Sequence, residues 1–197
     1  MRISLAGSLG VAASLAVLAG CGTSVSHQAS PPQYKVWSVS KNAWQTTPFV
    51  EKNGAVVIAM ASWCKYCAWE AKWEEPQLLR WGREHHIGVV LVDISPRGGI
   101  GIAGPQDNAS AGTDGSGQFL GSSAHGLRVL EATLKRYAAT YHLPLAALTI
   151  DPADTTVFAK KAQEMPAIFL VSPGGRITRT FQGTTPASSI ESAFAAP

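Results

Sequence analysis

Cysteine is scarce in this 197-residue chain, with only Cys21, Cys64 and Cys67 present. A structural zinc site needs four ligands, commonly supplied as paired Cys-x-x-Cys or Cys/His knuckles. No second cysteine pair exists here, and no metal is expected. His85 and His86 fall about five turns beyond Cys67 on the helix expected to follow it, too far to return as ligands. Charge is also sparse. Asp, Glu, Lys and Arg make up 15% of residues, the formal net charge is +3, and no lysine–arginine cluster stands out. A nucleic-acid partner would call for a basic patch, so none is expected. There is no internal repeat. Hydrophobic residues reach 46%, enough for one core, and the length fits one ordinary domain after a targeting segment is set aside.

The amino terminus accounts for the odd cysteine. Arg2 supplies a short positive start, and residues 3–18 are apolar or small and uncharged. This is the pattern of a secretory signal peptide, too short and wrongly flanked for a stable membrane span. Leu18-Ala19-Gly20-Cys21 closes the segment and resembles the lipobox of bacterial lipoproteins. The resemblance implies removal of residues 1–20 and a diacylglycerol on the Cys21 thiol. Two or more acyl chains hold a protein stably on a bilayer, where one is marginal. Residues 21–35 are polar, carry Pro31-Pro32 and read as a tether, leaving 36–197 as the folded domain. The expected location is the cell envelope, facing the periplasm or extracytoplasmic space. Gly22 in place of Asp implies the outer membrane if the cell is Gram-negative. In such an oxidising compartment the mature chain keeps only Cys64 and Cys67 as thiols.

Along the domain, residues 36–50 read as a strand or loop entering the core, and Asn53-Gly54 as a turn. Residues 55–60 form a continuous apolar run with β-branched members, consistent with a buried central strand. Trp63-Cys64-Lys65-Tyr66-Cys67 follows at once, then helix formers to residue 84, with Pro76 placed to kink or interrupt them. Residues 87–94 are a second buried strand. Residues 96–126 are rich in Gly, Ser and Ala, and read as a flexible insertion. Leu127, Leu130, Leu134 and Tyr137 recur at helical spacing, which predicts a helix over 127–141. A strand over 143–150 and a helix to 164, capped by Asp151 or Asp154, come next. A hairpin with strands at 167–171 and 176–181 and a helix over 186–194 complete the chain. The pattern predicts an α/β fold with a mixed sheet flanked by helices.

Cys-x-x-Cys at a strand-to-helix junction has a physical logic. Unpaired N–H groups and the helix dipole favour an anion on the first cysteine. A free thiol titrates near about 8.5, and such placement lowers it to roughly 3.5–7.5. Cys64 is thus the expected attacking thiolate. Cys67, a turn inside and more buried, is the expected resolving thiol.

With Trp63-Cys64-x-x-Cys67 after an apolar strand and Met165-Pro166 before the penultimate one, the chain resembles the thioredoxin-like superfamily over roughly residues 50–195, especially its membrane-tethered TlpA type. The resemblance implies a strand–helix unit before a cis-proline, here at 143–164. It implies thiol:disulfide exchange by a Cys64–Cys67 redox pair, and no cofactor. A cis Met165-Pro166 bond opposite the cysteines would leave the Met165 backbone free to pair with an extended substrate chain. Trp63 would shape the same groove. The implied partners are protein thiols and disulfides and an upstream envelope redox protein. Thioredoxins carry a buried acid six residues before the first cysteine, where this chain has Ile58. TlpA-type reductases often place a glutamate three residues after the second cysteine. Glu70 matches and is the candidate base for Cys67, with Glu74 in reserve. Glu70 favours reduction as the direction, while Lys65-Tyr66 argues neither way. A non-catalytic envelope adaptor built on the same fold stays open, since fold alone does not imply activity.

Overall fold

A computed structural model of the chain describes residues 30–96, 99–100 and 121–195. The signal segment 1–20, Cys21, the tether up to residue 29, and positions 97–98 and 101–120 of the Gly/Ser-rich insertion lie outside the described residues. Among the described residues no helix is long and apolar enough to cross a membrane.

The chain opens with an antiparallel hairpin of β1 (Tyr34–Ser38) and β2 (Ala43–Thr47). Strand β3 (Ala55–Met60) leads into α1 (Lys65–Trp73), α2 (Glu75–His85) and β4 (Gly88–Asp93). Helix α3 (Ala124–Tyr141), β5 (Leu148–Ile150) and α4 (Val157–Lys161) follow. Strands β6 (Ala167–Val171) and β7 (Ile177–Gln182) and helix α5 (Ala187–Ala195) complete the fold. The seven strands form one sheet in the order β2-β1-β5-β4-β3-β6-β7. Strands β3, β4 and β5 run parallel, and β6 returns antiparallel beside β3.

The apolar run of β3 is explained by its central place, with all six residues buried. Side chains alternate across a strand. Val56, Ile58 and Met60 enter one core, while Ala55, Val57 and Ala59 enter the other. The first core is closed by Ala68 and Ala71 of α1, Leu78 of α2, Leu130, Leu134 and Tyr137 of α3, and Ile190 of α5. The second centres on Phe158 of α4, which packs against Tyr34, Phe49 and Phe169 with ring centroids 5.0, 5.9 and 5.3 Å away. Gly54 makes the turn into β3 at φ +113°, and a Cβ there would lie 2.3 Å from the Val171 carbonyl oxygen.

Several boundaries differ from the sequence reading, each for a local reason. The expected helix from Cys64 to residue 84 is two helices broken at Glu74. Pro76, in the first turn of α2, has no N–H for the preceding turn and its ring crowds that turn's carbonyl, so the helix restarts rather than continues. Helix α3 begins three residues early, because Ser123 caps it by accepting from the Gly126 N–H at 3.0 Å. Most of residues 143–150 is not strand, since a 3-10 turn occupies Leu145–Ala147. Helix α4 is short and capped by Thr156, not by Asp151 or Asp154. Asp151 instead accepts from the Thr155 and Thr156 N–H groups, and Asp154 accepts from Ser95 N–H at 2.7 Å. The tether also ends sooner than residue 35. Strand β1 starts at Tyr34, and Pro31 and Pro32 press on Gly175 so closely that a Cβ there would lie 2.4 Å from Pro32 Cδ.

Candidate active site

The carboxyl ends of the parallel strands β3 and β4 hold the cysteine loop. Ser62 N–H donates to Asp93 Oδ1 at 3.3 Å, and Ser62 Oγ donates to the Gly99 carbonyl at 2.9 Å. Trp63 Nε1–H donates to the Ser95 carbonyl at 3.1 Å. The indole of the residue before Cys64 is thereby tied to the turn after β4. Cys64 caps α1 with extended backbone, φ −80° and ψ 124°. Its sulfur accepts the Cys67 N–H at 3.4 Å, the place usually taken by a Ser or Asp oxygen.

Cys64 and Cys67 are both free thiols, and they are unlike. The Cys64 thiol is lowered to about 7, chiefly by the hydrogen bond from the Cys67 thiol, with help from the Cys67 and Tyr66 N–H groups and the Lys65 charge and against the cost of burial. The Cys67 thiol is fully buried and pushed well up, first by burial and then by Cys64 and Glu70. The charge that the pair can carry therefore sits on Cys64.

The Met165-Pro166 peptide bond is cis. It brings the Met165 carbonyl to 3.6 Å from Cys64 Sγ, whose thiol donates to it. A cleft of about 250 Å³ opens beside Met165, lined by Ser95, Asp154, Lys160, Gln163 and Glu164. The sequence-derived residues Trp63, Cys64, Met165 and Pro166 thus meet at one end of the sheet.

Glu70 lies behind the pair and is only 2% exposed. One carboxylate oxygen accepts the Thr185 N–H at 2.6 Å. Burial raises its carboxyl to about 8, against the lowering effect of Thr185, with added repulsion from Glu74 and Cys64. Glu70 in turn helps to raise the Cys67 thiol. Glu74, the reserve candidate, has a structural task. Its carboxylate accepts the Ala187 N–H at 2.8 Å and so caps α5. Trp73 is 45% exposed and covers the surface of α1, with the Lys72 ammonium over its ring.

Three site residues were not legible from spacing. Tyr137, expected only as core, donates its hydroxyl to the Cys67 carbonyl at 3.0 Å and ties α3 to α1. Asp93 is fully buried, and the oxygen not bonded to Ser62 has no partner among the described residues. Glu75 is fully buried, and among the described residues neither of its carboxylate oxygens is hydrogen-bonded. Its place next to Pro76 at a helix start gives it the sequence signature of an exposed first-turn acid. Only the packing of α2 turns it inward.

No family model matches this sequence, and no curated protein matches it. Solved structures do match the fold. StoA from Bacillus subtilis superposes with a TM-score of 0.53 at 12% identity, over 83% of this chain and 97% of that one. A putative thiol:disulfide interchange protein DsbE from Chlorobium tepidum gives 0.55 at 15% identity, over 83% and 92%. The exposed lipoprotein thioredoxin of Streptococcus pneumoniae gives 0.51 at 14% identity, over 83% and 98%. The chain has the fold of thioredoxin-like proteins.

Proposed function

We propose that this protein is a thiol:disulfide oxidoreductase that acts on protein disulfides outside the cytoplasmic membrane, with reduction as its direction. The observation that carries the reading is the inequality of the two thiols. Cys64 sits at a helix start with its thiol lowered to about 7, while Cys67 is sealed behind it and held protonated. Exchange needs one thiol that attacks and one that waits. The neighbours in fold include a protein named for thiol:disulfide interchange and a lipoprotein thioredoxin, which fits the same chemistry and place. The size of the effect supports this direction. A thiol near 7 resembles thioredoxin, whereas the strong oxidant DsbA titrates at about 3.5 because its reduced form is far more stabilised. In use, an upstream envelope redox protein would reduce the pair again, and a lipid on Cys21 would hold this protein on its membrane.

Equilibration in dithiol–disulfide buffers tests the activity. The Cys64–Cys67 couple should lie nearer about −230 to −270 mV than about −120 mV. A disulfide that resists all reductants short of denaturation would leave an adaptor in place of an enzyme. The anchor has its own test. Mass spectrometry of the mature protein should find Cys21 at the amino terminus and acylated, and Cys21→Ser should release the protein from membranes. An unmodified Cys21 inside the mature chain would end the anchor reading and leave the thiol chemistry intact.

A further inference from the structure

Ser95 holds a backbone conformation that its side chain does not favour. At φ +47° it lies in the left-handed region, which glycine, asparagine and aspartate visit readily and serine seldom does. Such a residue persists only where its surroundings over-determine it, and strain of this kind gathers at active sites. Here Asp154 does the holding, from 59 positions away in the chain. Its Oδ1 accepts the Ser95 N–H at 2.7 Å, and its Oδ2 accepts the Ser95 hydroxyl at 3.2 Å. Asp154 is itself at φ +52°, which aspartate tolerates in a turn. That turn is fixed by the buried Asp151. Its carbonyl accepts the Asp154 N–H at 3.2 Å, and its carboxylate accepts the Thr155 and Thr156 N–H groups.

The other side of Ser95 faces the redox loop. Its carbonyl accepts the Trp63 indole N–H at 3.1 Å, and Trp63 is the residue before Cys64. A chain of hydrogen bonds therefore runs from Asp154 through Ser95 to Trp63, from the turn after β5 to the cysteine loop. Ser95 and Asp154 also line the cleft of about 250 Å³ together with Met165, whose carbonyl lies 3.6 Å from Cys64 Sγ.

We propose that Asp154 is a positioning residue for exchange at Cys64. It holds Ser95 in its left-handed turn, and so sets both the cleft lining and the Trp63 indole against which an extended substrate chain would lie. The inference rests on the oxidoreductase reading. Asp154 takes no part in the sulfur chemistry. It acts through Ser95 on how well a protein disulfide is held over Cys64, where a misplacement of about 1 Å can cost a hundredfold in rate.

Steady-state reduction of insulin by the full-length protein, under excess dithiothreitol, tests this with Asp154→Gly, Asp154→Asn and Trp63→Phe. Glycine suits φ +52° and removes only the side chain. Asparagine can still accept the Ser95 N–H through Oδ1. Asp154→Gly should raise KM about tenfold, the equivalent of one net hydrogen bond, and Asp154→Asn should stay within about threefold of wild type. A general loss of stability would lower kcat by removing folded enzyme and leave KM alone. The Trp63 indole N–H resonance should exchange with solvent faster in Asp154→Gly and as in wild type in Asp154→Asn. Trp63→Phe cuts the chain at its other end and should raise KM similarly. The double variant Asp154→Gly with Trp63→Phe should be no worse than the poorer single one, since coupled residues are not additive. Additive losses overturn the proposal, as does an Asp154→Gly variant with wild-type indole exchange. A wild type that reduces insulin, with Asp154→Gly at the same KM, overturns this inference alone. A wild type that reduces no insulin overturns the oxidoreductase reading and this inference with it.

Discussion

A Cys67→Ser variant will accumulate as a covalent complex with its protein partner, and a Cys64→Ser variant will not. At neutral pH a thiol titrating at about 7 is near half ionised. A free cysteine at about 8.5 is only roughly 3% thiolate there. Cys64 Sγ lies 3.6 Å from the Met165 carbonyl and keeps 7% exposure, while Cys67 is fully buried. Attack must come from Cys64, so its loss should reduce exchange to background. Loss of Cys67 leaves attack intact and removes, among the described residues, the only cysteine that could resolve the mixed disulfide. The stalled species should run as a higher band on a non-reducing gel and vanish with reductant. Its mass spectrum would name the substrate, which no residue here does. Trapping by Cys64→Ser in place of Cys67→Ser would reverse the roles assigned to the two sulfurs.

The second large effect is on stability, with an unusual sign. The Glu70 carboxyl titrates at about 8 in the folded protein against an ordinary value of 4.5. A raised acid binds its proton more tightly when folded, so its contribution is fully present below 4.5 and is lost as pH rises towards 8. Between pH 4.5 and 7 the loss is about 3 kcal/mol at 1.36 kcal/mol per unit. Burial pushes the Glu75 and Asp93 carboxyls in the same direction. The lowered Cys64 thiol acts with the opposite sign, but only above about 7. The reduced protein should therefore be more stable at pH 5 than at pH 7, contrary to the usual course of acid denaturation. Glu70→Gln should remove most of that slope and raise stability at pH 7 by up to about 3 kcal/mol. It should also slow resolution, since the base is gone. Urea unfolding at pH 5, 6 and 7 measures the slope. A flat profile that Glu70→Gln leaves unchanged would return Glu70 to an ordinary solvated acid.

The paired cysteines, their helix-start placement, Pro166 and the buried β3 were legible because each is a local matter. Two cysteines three residues apart meet on one helical turn wherever the helix lies. A run of β-branched apolar residues must be covered on both faces, and the bond before a proline is the one peptide bond that readily takes the cis form. The same locality explains why the mixed α/β sheet could be expected from the order of its segments. The break at Glu74 was half legible, since Pro76 marks an interruption without saying on which side the helix resumes.

What the sequence by itself determined is thus the spacing of the two sulfurs at a strand-to-helix junction and the order of elements that carries them. The tertiary structure decided the charge state around them. Glu70, Glu74 and Glu75 are three acids within six residues of one another, and nothing in their spacing separates them. The fold gives the Thr185 N–H to Glu70, the Ala187 N–H to Glu74 and no partner to Glu75. Those partners come from residues more than a hundred positions away in the chain, or from none at all. The proton affinity of a carboxyl depends on burial and on neighbours in space. Neither quantity exists until α1, α2, α3 and the approach to α5 have packed together.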